Sequence, residues 1–230
     1  MAVKEVNGCV SEILWSKTAP WFAVETEVLL HFRPGQFFQA LSPDEPDASL
    51  AQTLFPASLP RGSTRFSPPV PPGWAPGTPV RLRGPFGNGA DLPASTRRLA
   101  LAASAAGIFR LLPLIEQSQM AKVEVTLYTD QVPDDLPPSI EILPPAQLMA
   151  DLGWADTLVM DVDLPALPET LLAFRHIPAR NLPMTALIQV FSPMPCANHA
   201  RCGVCSVKTR QGWKLACKDG PLFSLTDLLE

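Results

Sequence analysis

Four of the five cysteines in this 230-residue chain fall between residues 196 and 217, with the spacing C-x5-C-x2-C-x11-C. The fifth, Cys9, stands alone. Such crowding indicates metal ligation in a reducing compartment rather than a disulfide framework. The candidate metal ligands are therefore Cys196, Cys202, Cys205 and Cys217.

The cysteine spacing favours an iron-sulfur cluster over a single zinc ion. Plant-type 2Fe-2S proteins use C-x4-C-x2-C with a distant fourth cysteine, one residue from the pattern found here. The eleven residues before Cys217, SVKTRQGWKLA, predict two strands with a turn at Gln211-Gly212, and this hairpin would bring Cys205 and Cys217 together. Structural zinc more commonly uses two C-x2-C knuckles, so zinc remains the alternative. Since four cysteines suffice, we expect His199 to be exposed.

Basic residues surround the candidate ligands, and no acidic residue lies between Cys196 and Lys218. Nearby cations favour thiolates over thiols. The same side chains also fit an ordinary solvated basic face, and that alternative stays open. The residues are Arg201, Lys208, Arg210, Lys214 and Lys218.

Composition and charge exclude several function classes. Hydrophobic residues make up 47% of the chain and charged residues 17%, as in globular proteins. A net charge of -4 gives no general attraction to nucleic acid. No window approaches the roughly 18 apolar residues of a membrane span, and the N-terminus lacks a signal-peptide pattern. We expect a cytoplasmic protein that binds neither nucleic acid nor membrane.

The chain divides into three predicted domains. Residues 1–95 contain short alternating runs separated by turns, which indicate an antiparallel β-barrel or sandwich. In residues 96–190 strands alternate with helical segments, which predicts a Rossmann-like parallel sheet. Residues 191–230 carry the cysteines. The predicted fold class is thus multidomain, with β and α/β parts and a small C-terminal 2Fe-2S cluster domain.

The tail CGVCSVKTRQGWKLACKDGPLF resembles the cluster domain of the electron-transfer subunit of NAD-linked dihydroorotate dehydrogenase and of related flavin reductases. The runs PGQFFQAL (34–41) and LRGPFGNG (82–89) are similar to two barrel segments of that family. The resemblance implies a flavin-binding antiparallel barrel, a nucleotide-binding α/β domain and a terminal 2Fe-2S domain. It also implies a partner, a catalytic dihydroorotate dehydrogenase subunit that carries flavin and acts in pyrimidine biosynthesis.

The family's FAD site is only partly retained. Its R-P-x-S strand reads Phe55-Pro56-Ala57-Ser58 here, and its G-x-G-T turn, which opens a helix, reads Gly62-Ser63-Thr64. The resemblance implies FAD contacts from Ser58, Gly62, Ser63 and Thr64, because a hydroxyl can bond the isoalloxazine edge and helix-start amides can bind a diphosphate. Phe55 replaces the arginine that would pair with the diphosphate. We therefore predict loose or substoichiometric FAD.

The nicotinamide site departs further from the family. Its glycine-rich turn is replaced by Ala103-Ser104-Ala105-Ala106-Gly107, whose side chains would obstruct a diphosphate. Its later Cys-Gly-Pro segment reads Met160-Asp161-Val162-Asp163, where the aspartates would repel phosphate, although Arg110 offers a compensating charge. We expect no useful NAD binding.

The predicted function is an electron-transfer subunit of an oxidoreductase complex. One alternative is a non-catalytic scaffold subunit that binds zinc. The other is a ferredoxin-linked reductase subunit without NAD binding.

Overall fold

The computed structural model describes residues 4–15, 20–43, 50–103, 106–133, 136–196 and 199–229. Two six-stranded sheets and one hairpin make up its β-structure. Within the described residues, no helix is long and apolar enough to span a membrane.

The first sheet is antiparallel and closes on itself. Its strands are β1 (Lys4–Trp15), β2 (Pro20–Thr26), β3 (Phe37–Leu41), β4 (Gln52–Leu54), β5 (Ser63–Phe66) and β6 (Pro79–Phe86). The strand order is β4-β3-β6-β1-β2-β5. The chain after β4 pairs with β5, since Pro56 bridges Phe66 and the Ala57 amide donates to the Arg65 carbonyl at 2.8 Å. This pairing joins the two sheet edges into a barrel.

The barrel core contains the apolar side chains of alternate strand positions, among them Phe22, Val24, Phe38, Phe66 and Leu82. The segment AVETEVLLHF leaves the sheet early, because β2 ends at Thr26 and residues 27–32 form no strand. Val28 and Leu29 are exposed there, so hydrophobic character alone did not extend the strand.

The second sheet is parallel except at one edge. Its strands are β7 (Arg98–Ala103), β8 (Glu124–Tyr128), β9 (Glu141–Leu143), β10 (Thr157–Asp163), β11 (Thr185–Phe191) and β14 (Leu222–Ser224). The order is β14-β11-β10-β7-β8-β9. The helices α1 (Gly107–Met120), α2 (Leu148–Asp151) and α3 (Leu167–Phe174) connect the strands. Buried leucines and valines of the central strands pack against α1, as the run LALAAS predicts.

The C-terminal segment consists of the hairpin β12 (Ser206–Thr209) and β13 (Gly212–Leu215), the short helix α4 (Ala216–Asp219), β14 and the short helix α5 (Leu225–Leu228). β14 pairs antiparallel with β11. The cysteine segment is therefore tied into the α/β sheet by its own last strand. The domain boundaries at residues 95 and 190 stay predictions.

Candidate metal centre

The hairpin brings two of the four cysteines together. Cys205 directly precedes β12, Cys217 lies in α4 just after β13, and the Ala216 amide donates to the Cys205 carbonyl at 2.9 Å. The turn itself is one residue earlier than predicted. Thr209 pairs with Gly212, so Arg210-Gln211 forms the turn, and Gly212 adopts a φ of 103° as the first residue of β13.

The loop before the hairpin directs backbone amides at Cys196. Ala200 and Gly203 both have positive φ, at 57° and 73°, which turns the chain sharply around this region. The His199 amide donates to the Cys196 carbonyl at 3.0 Å, while the His199 side chain is exposed as expected. The amides of His199, Ala200 and Arg201 also hydrogen-bond the Cys196 sulfur.

The four thiols interact in two pairs. Burial raises the pKa of Cys196, but hydrogen bonds from the Ala200, Arg201 and His199 amides and from the Cys202 thiol lower it to a net value below the usual one.

Burial raises the pKa of Cys217 to about 12, and the neighbouring thiol of Cys205, with the charges of Cys196 and Cys202, adds to the shift. Cys196 is thus paired with Cys202, and Cys217 with Cys205. Among the described residues, no group of three or more Cys, His, Asp or Glu side chains surrounds a single point as ligands of one metal ion would.

Exposure differs between the two pairs. Cys205 and Cys217 are each 1% exposed, Cys196 is half-buried and Cys202 is exposed. Four thiols in two pairs fit a binuclear cluster, in which each iron takes two cysteines. Such a cluster would be buried on its Cys205 side and open on its Cys202 side.

The basic residues around the thiols lie mainly in solvent. Lys214 is half-buried, and Arg201, Lys208, Arg210 and Lys218 are exposed. Their side chains give this face of the protein a positive charge.

Two barrel contacts that the sequence did not reveal hold the cysteine segment in place. On one side Gln39 Nε2 donates to the Met194 carbonyl at 3.0 Å, and the Met194 amide donates to Thr53 Oγ1 at 3.2 Å. On the other side Asn88 Nδ2 donates to the Leu222 carbonyl at 2.8 Å and Asn88 Oδ1 accepts from the Leu222 amide at 3.0 Å. The PGQFFQAL and LRGPFGNG runs, which contain Gln39 and Asn88, gave a partial signal for these contacts.

Two of the predicted FAD residues lie in a strand rather than at the start of a helix. Ser63 and Thr64 lie in β5, so no helix opens at Gly62-Ser63-Thr64 as the family resemblance implied. The reason is the short connection from Ser58, which leads directly into a strand pairing with β2. Thr64 lies opposite Val24 of the barrel core, so its buried hydroxyl faces that core. Ser58 is 3% exposed, and its Oγ finds no hydrogen-bond partner among the described residues.

The predicted nicotinamide site contains an ion pair. Arg110 is 3% exposed and binds Asp161 through two nitrogens, with Nε to Oδ2 at 2.9 Å. Its Nη2 also donates to Asp163 Oδ1 at 3.3 Å. Arg110, considered above as a charge that could compensate the repulsion of phosphate by the two aspartates, instead pairs with both of them directly. Ser104 and Ala105 of the predicted turn lie outside the described residues.

The chain has a ferredoxin reductase-like fold, and its C-terminal segment resembles an iron-sulfur cluster binding domain. Residues 194–229 match the family model described as the iron-sulfur cluster binding domain of dihydroorotate dehydrogenase B. No curated protein matches the sequence of this chain.

Several solved structures share the fold. The structure of the NADH-dependent reduced ferredoxin-NADP oxidoreductase, described for flavin-based electron bifurcation, is 18% identical with a TM-score of 0.74, over 96% of this chain and 88% of that one. A cytochrome P450 reductase from Amycolatopsis is 16% identical with a TM-score of 0.61, over 78% and 68% of the two chains. A flavohemoglobin from Malassezia yamatoensis with bound FAD and heme is 12% identical with a TM-score of 0.58, over 81% and 60%. These likenesses confirm the predicted fold class, and the family match confirms the resemblance of the tail.

Proposed function

We propose that this chain is the electron-transfer subunit of an oxidoreductase complex and holds a 2Fe-2S cluster on Cys196, Cys202, Cys205 and Cys217. The observation that carries the proposal is the arrangement of these thiols in two neighbouring pairs, of which Cys205 and Cys217 flank the base of the hairpin. A cluster bound there supplies one-electron transfer. The proposed function needs neither flavin nor dinucleotide in this chain.

The surrounding residues have distinct tasks in this proposal. The amides of His199, Ala200 and Arg201 donate to the Cys196 sulfur and favour its thiolate form, which is the form that ligates iron. Burial of Cys205 and Cys217 keeps water from that side of the site. The exposed Cys202 side is where a redox partner can approach.

The proposed partner is a catalytic oxidoreductase subunit, by family likeness a flavin-containing dihydroorotate dehydrogenase of pyrimidine biosynthesis. This assignment is supported by the match of residues 194–229 to the cluster domain of dihydroorotate dehydrogenase B. We propose the cytoplasm as the site of action, because crowded cysteines serve as metal ligands in reducing compartments.

The test is metal and sulfide analysis of the full chain purified without oxygen. We expect about two irons and two labile sulfides per chain. Cys202→Ser and Cys205→Ser are each expected to abolish the visible absorption and the paramagnetic signal of the reduced protein. Cys9→Ser is the matched control, because Cys9 lies in β1 of the barrel, and it should retain both. Zinc as the only stoichiometric metal would instead support the scaffold alternative.

A further inference from the structure

We infer that side chains of this protein fill the cleft between the barrel and the α/β sheet, so that the chain binds neither flavin nor dinucleotide and its cluster is its only redox group. The inference rests on the proposed function. Two cofactors were expected in this cleft. A dinucleotide was expected in the crevice at the carboxyl ends of the parallel strands, and a flavin at the barrel segment 55–61.

The crevice of an open α/β sheet lies where the strand order reverses, and ligands bind there outside the carboxyl ends of the strands. In this sheet the reversal falls between β7 and β10, which are neighbours although β8 and β9 follow β7 in the chain. Asp161 lies near the carboxyl end of β10, and Arg110 lies in the first turn of the helix after β7. The ion pair therefore occupies the crevice itself.

Both members of this ion pair make further contacts with neighbouring side chains. Gln189, which is fully buried, donates from Nε2 to Asp161 Oδ2 at 3.0 Å. The Arg110 guanidinium lies 3.9 Å from the ring centre of Phe191. A Cβ added at Gly107 would lie 2.6 Å from Asp161 Oδ1, so the carboxylate already occupies the space beside the first amide of α1. A diphosphate approaching that amide would meet a carboxylate.

The barrel side of the cleft is closed by direct packing. Phe55, at the place of the family's arginine, is 1% exposed and lies 5.5 Å from Phe37 and 5.7 Å from Phe191, measured between ring centres. Ala57 belongs to one buried cluster with Phe109 of α1 and with Trp21. A planar flavin ring between the barrel and α1 would have to separate these contacts.

Hydrogen bonds to Glu116 also join the barrel segment 55–61 to helix α1. Glu116 Oε2 accepts from the Leu59 amide at 3.1 Å and from Arg61 Nη2 at 3.0 Å. Phe109 and Glu116 are seven residues apart and lie on one face of the helix. Among the described residues Ser58 Oγ has no hydrogen-bond partner, which a bound flavin would explain. However, the next residue, Leu59, is hydrogen-bonded directly to Glu116 of α1.

The functional consequence is exchange of single electrons without a hydride step. A reduced one-electron carrier, such as an iron-sulfur protein or a flavin semiquinone of the partner subunit, gives one electron to the cluster, and an oxidised carrier of the same class takes it away. The cluster takes up the electron alone, and a proton that a neutral flavin semiquinone loses passes to solvent. Both carriers must reach the open side at Cys202.

The test uses the purified full chain with its cluster. Acid-released flavin is measured first, and FAD, FMN, NADH and NADPH are then titrated while flavin fluorescence, thermal stability and cluster absorption are followed. We expect no released flavin, no shift in unfolding temperature, and bleaching of the cluster by reduced ferredoxin but not by either nicotinamide. Stoichiometric flavin or rapid bleaching by NADH in an iron-containing sample would overturn the inference. A folded sample without iron would contradict the proposed function instead.

Discussion

Single glycines decide how closely the C-terminal segment lies on the barrel. Gly87 has a φ of 77°, and a Cβ there would lie 2.6 Å from Pro221 Cδ and 2.8 Å from the Gly220 carbonyl. Gly35 has a φ of 86°, and its Cβ would overlap Leu222. The PGQF and LRGPFGNG segments therefore serve to dock the strand that follows the cysteines, a role that their family likeness alone does not disclose.

We expect Gly87→Ala to destabilise the protein by about 2–6 kcal/mol, because left-handed strain and overpacking each cost about 1–3 kcal/mol. Gly77→Ala is the matched control. Gly77 has a φ of 94° but open space around its Cβ, so it should lose only the strain contribution. Urea unfolding of the unmodified chain and of both variants measures the difference in the free energy of unfolding. Equal losses in the two variants would show that the contact with Pro221 is unimportant.

Sequence periodicity predicted those helices and strands that are determined by interactions between residues close in the chain. The alternating residues around Arg210-Gln211 predicted the hairpin, and the apolar spacing of GIFRLLPLIEQSQ predicted α1. The pairing of Arg110 with Asp161 joins residues 51 positions apart, and no periodicity encodes it. Likewise, Ser63 and Thr64 belong to strand β5 because β2 is available to pair with them, a tertiary effect that overrides turn propensity.

The contribution of the buried ion pair between Arg110 and Asp161 to stability can be tested by mutation. Burial raises the pKa of Asp161, against the opposing effects of Arg110 and Gln189, so the carboxylate depends on its partners. We expect Arg110→Met to cost about 3–5 kcal/mol of stability, because it leaves an uncompensated buried charge. The double variant Arg110→Met with Asp161→Leu should recover much of that loss. The measurement is a double-mutant cycle of urea unfolding, and additive losses would show that the two side chains do not interact.

Across the whole molecule, an apolar groove lies beside the cysteine hairpin. Its volume is about 430 Å³, and its walls come from α3, the hairpin and the residues after β14. Leu172 is 60% exposed on one wall and Trp213 is 71% exposed on the other, with Arg175 and Lys208 at the same groove. The chain carries a net charge of -4, yet no acidic residue lies between Cys196 and Lys218. A cation-bordered apolar groove beside the cysteine hairpin suits an acidic surface of the proposed catalytic subunit.

We therefore expect Trp213→Ala to weaken binding of the catalytic subunit at least tenfold, since exposed tryptophans at interface centres commonly contribute more than about 2 kcal/mol. Iron content should be unchanged, because Trp213 is not a proposed ligand. Trp15→Ala is the control, because Trp15 is 81% exposed but lies on barrel strand β1. Binding is measured between the cluster-containing chain and the purified catalytic subunit at low and high salt. Because cationic residues border the groove, association should slow as ionic strength rises. An unchanged affinity for Trp213→Ala, or an equal loss for Trp15→Ala, would place the partner elsewhere on the molecule.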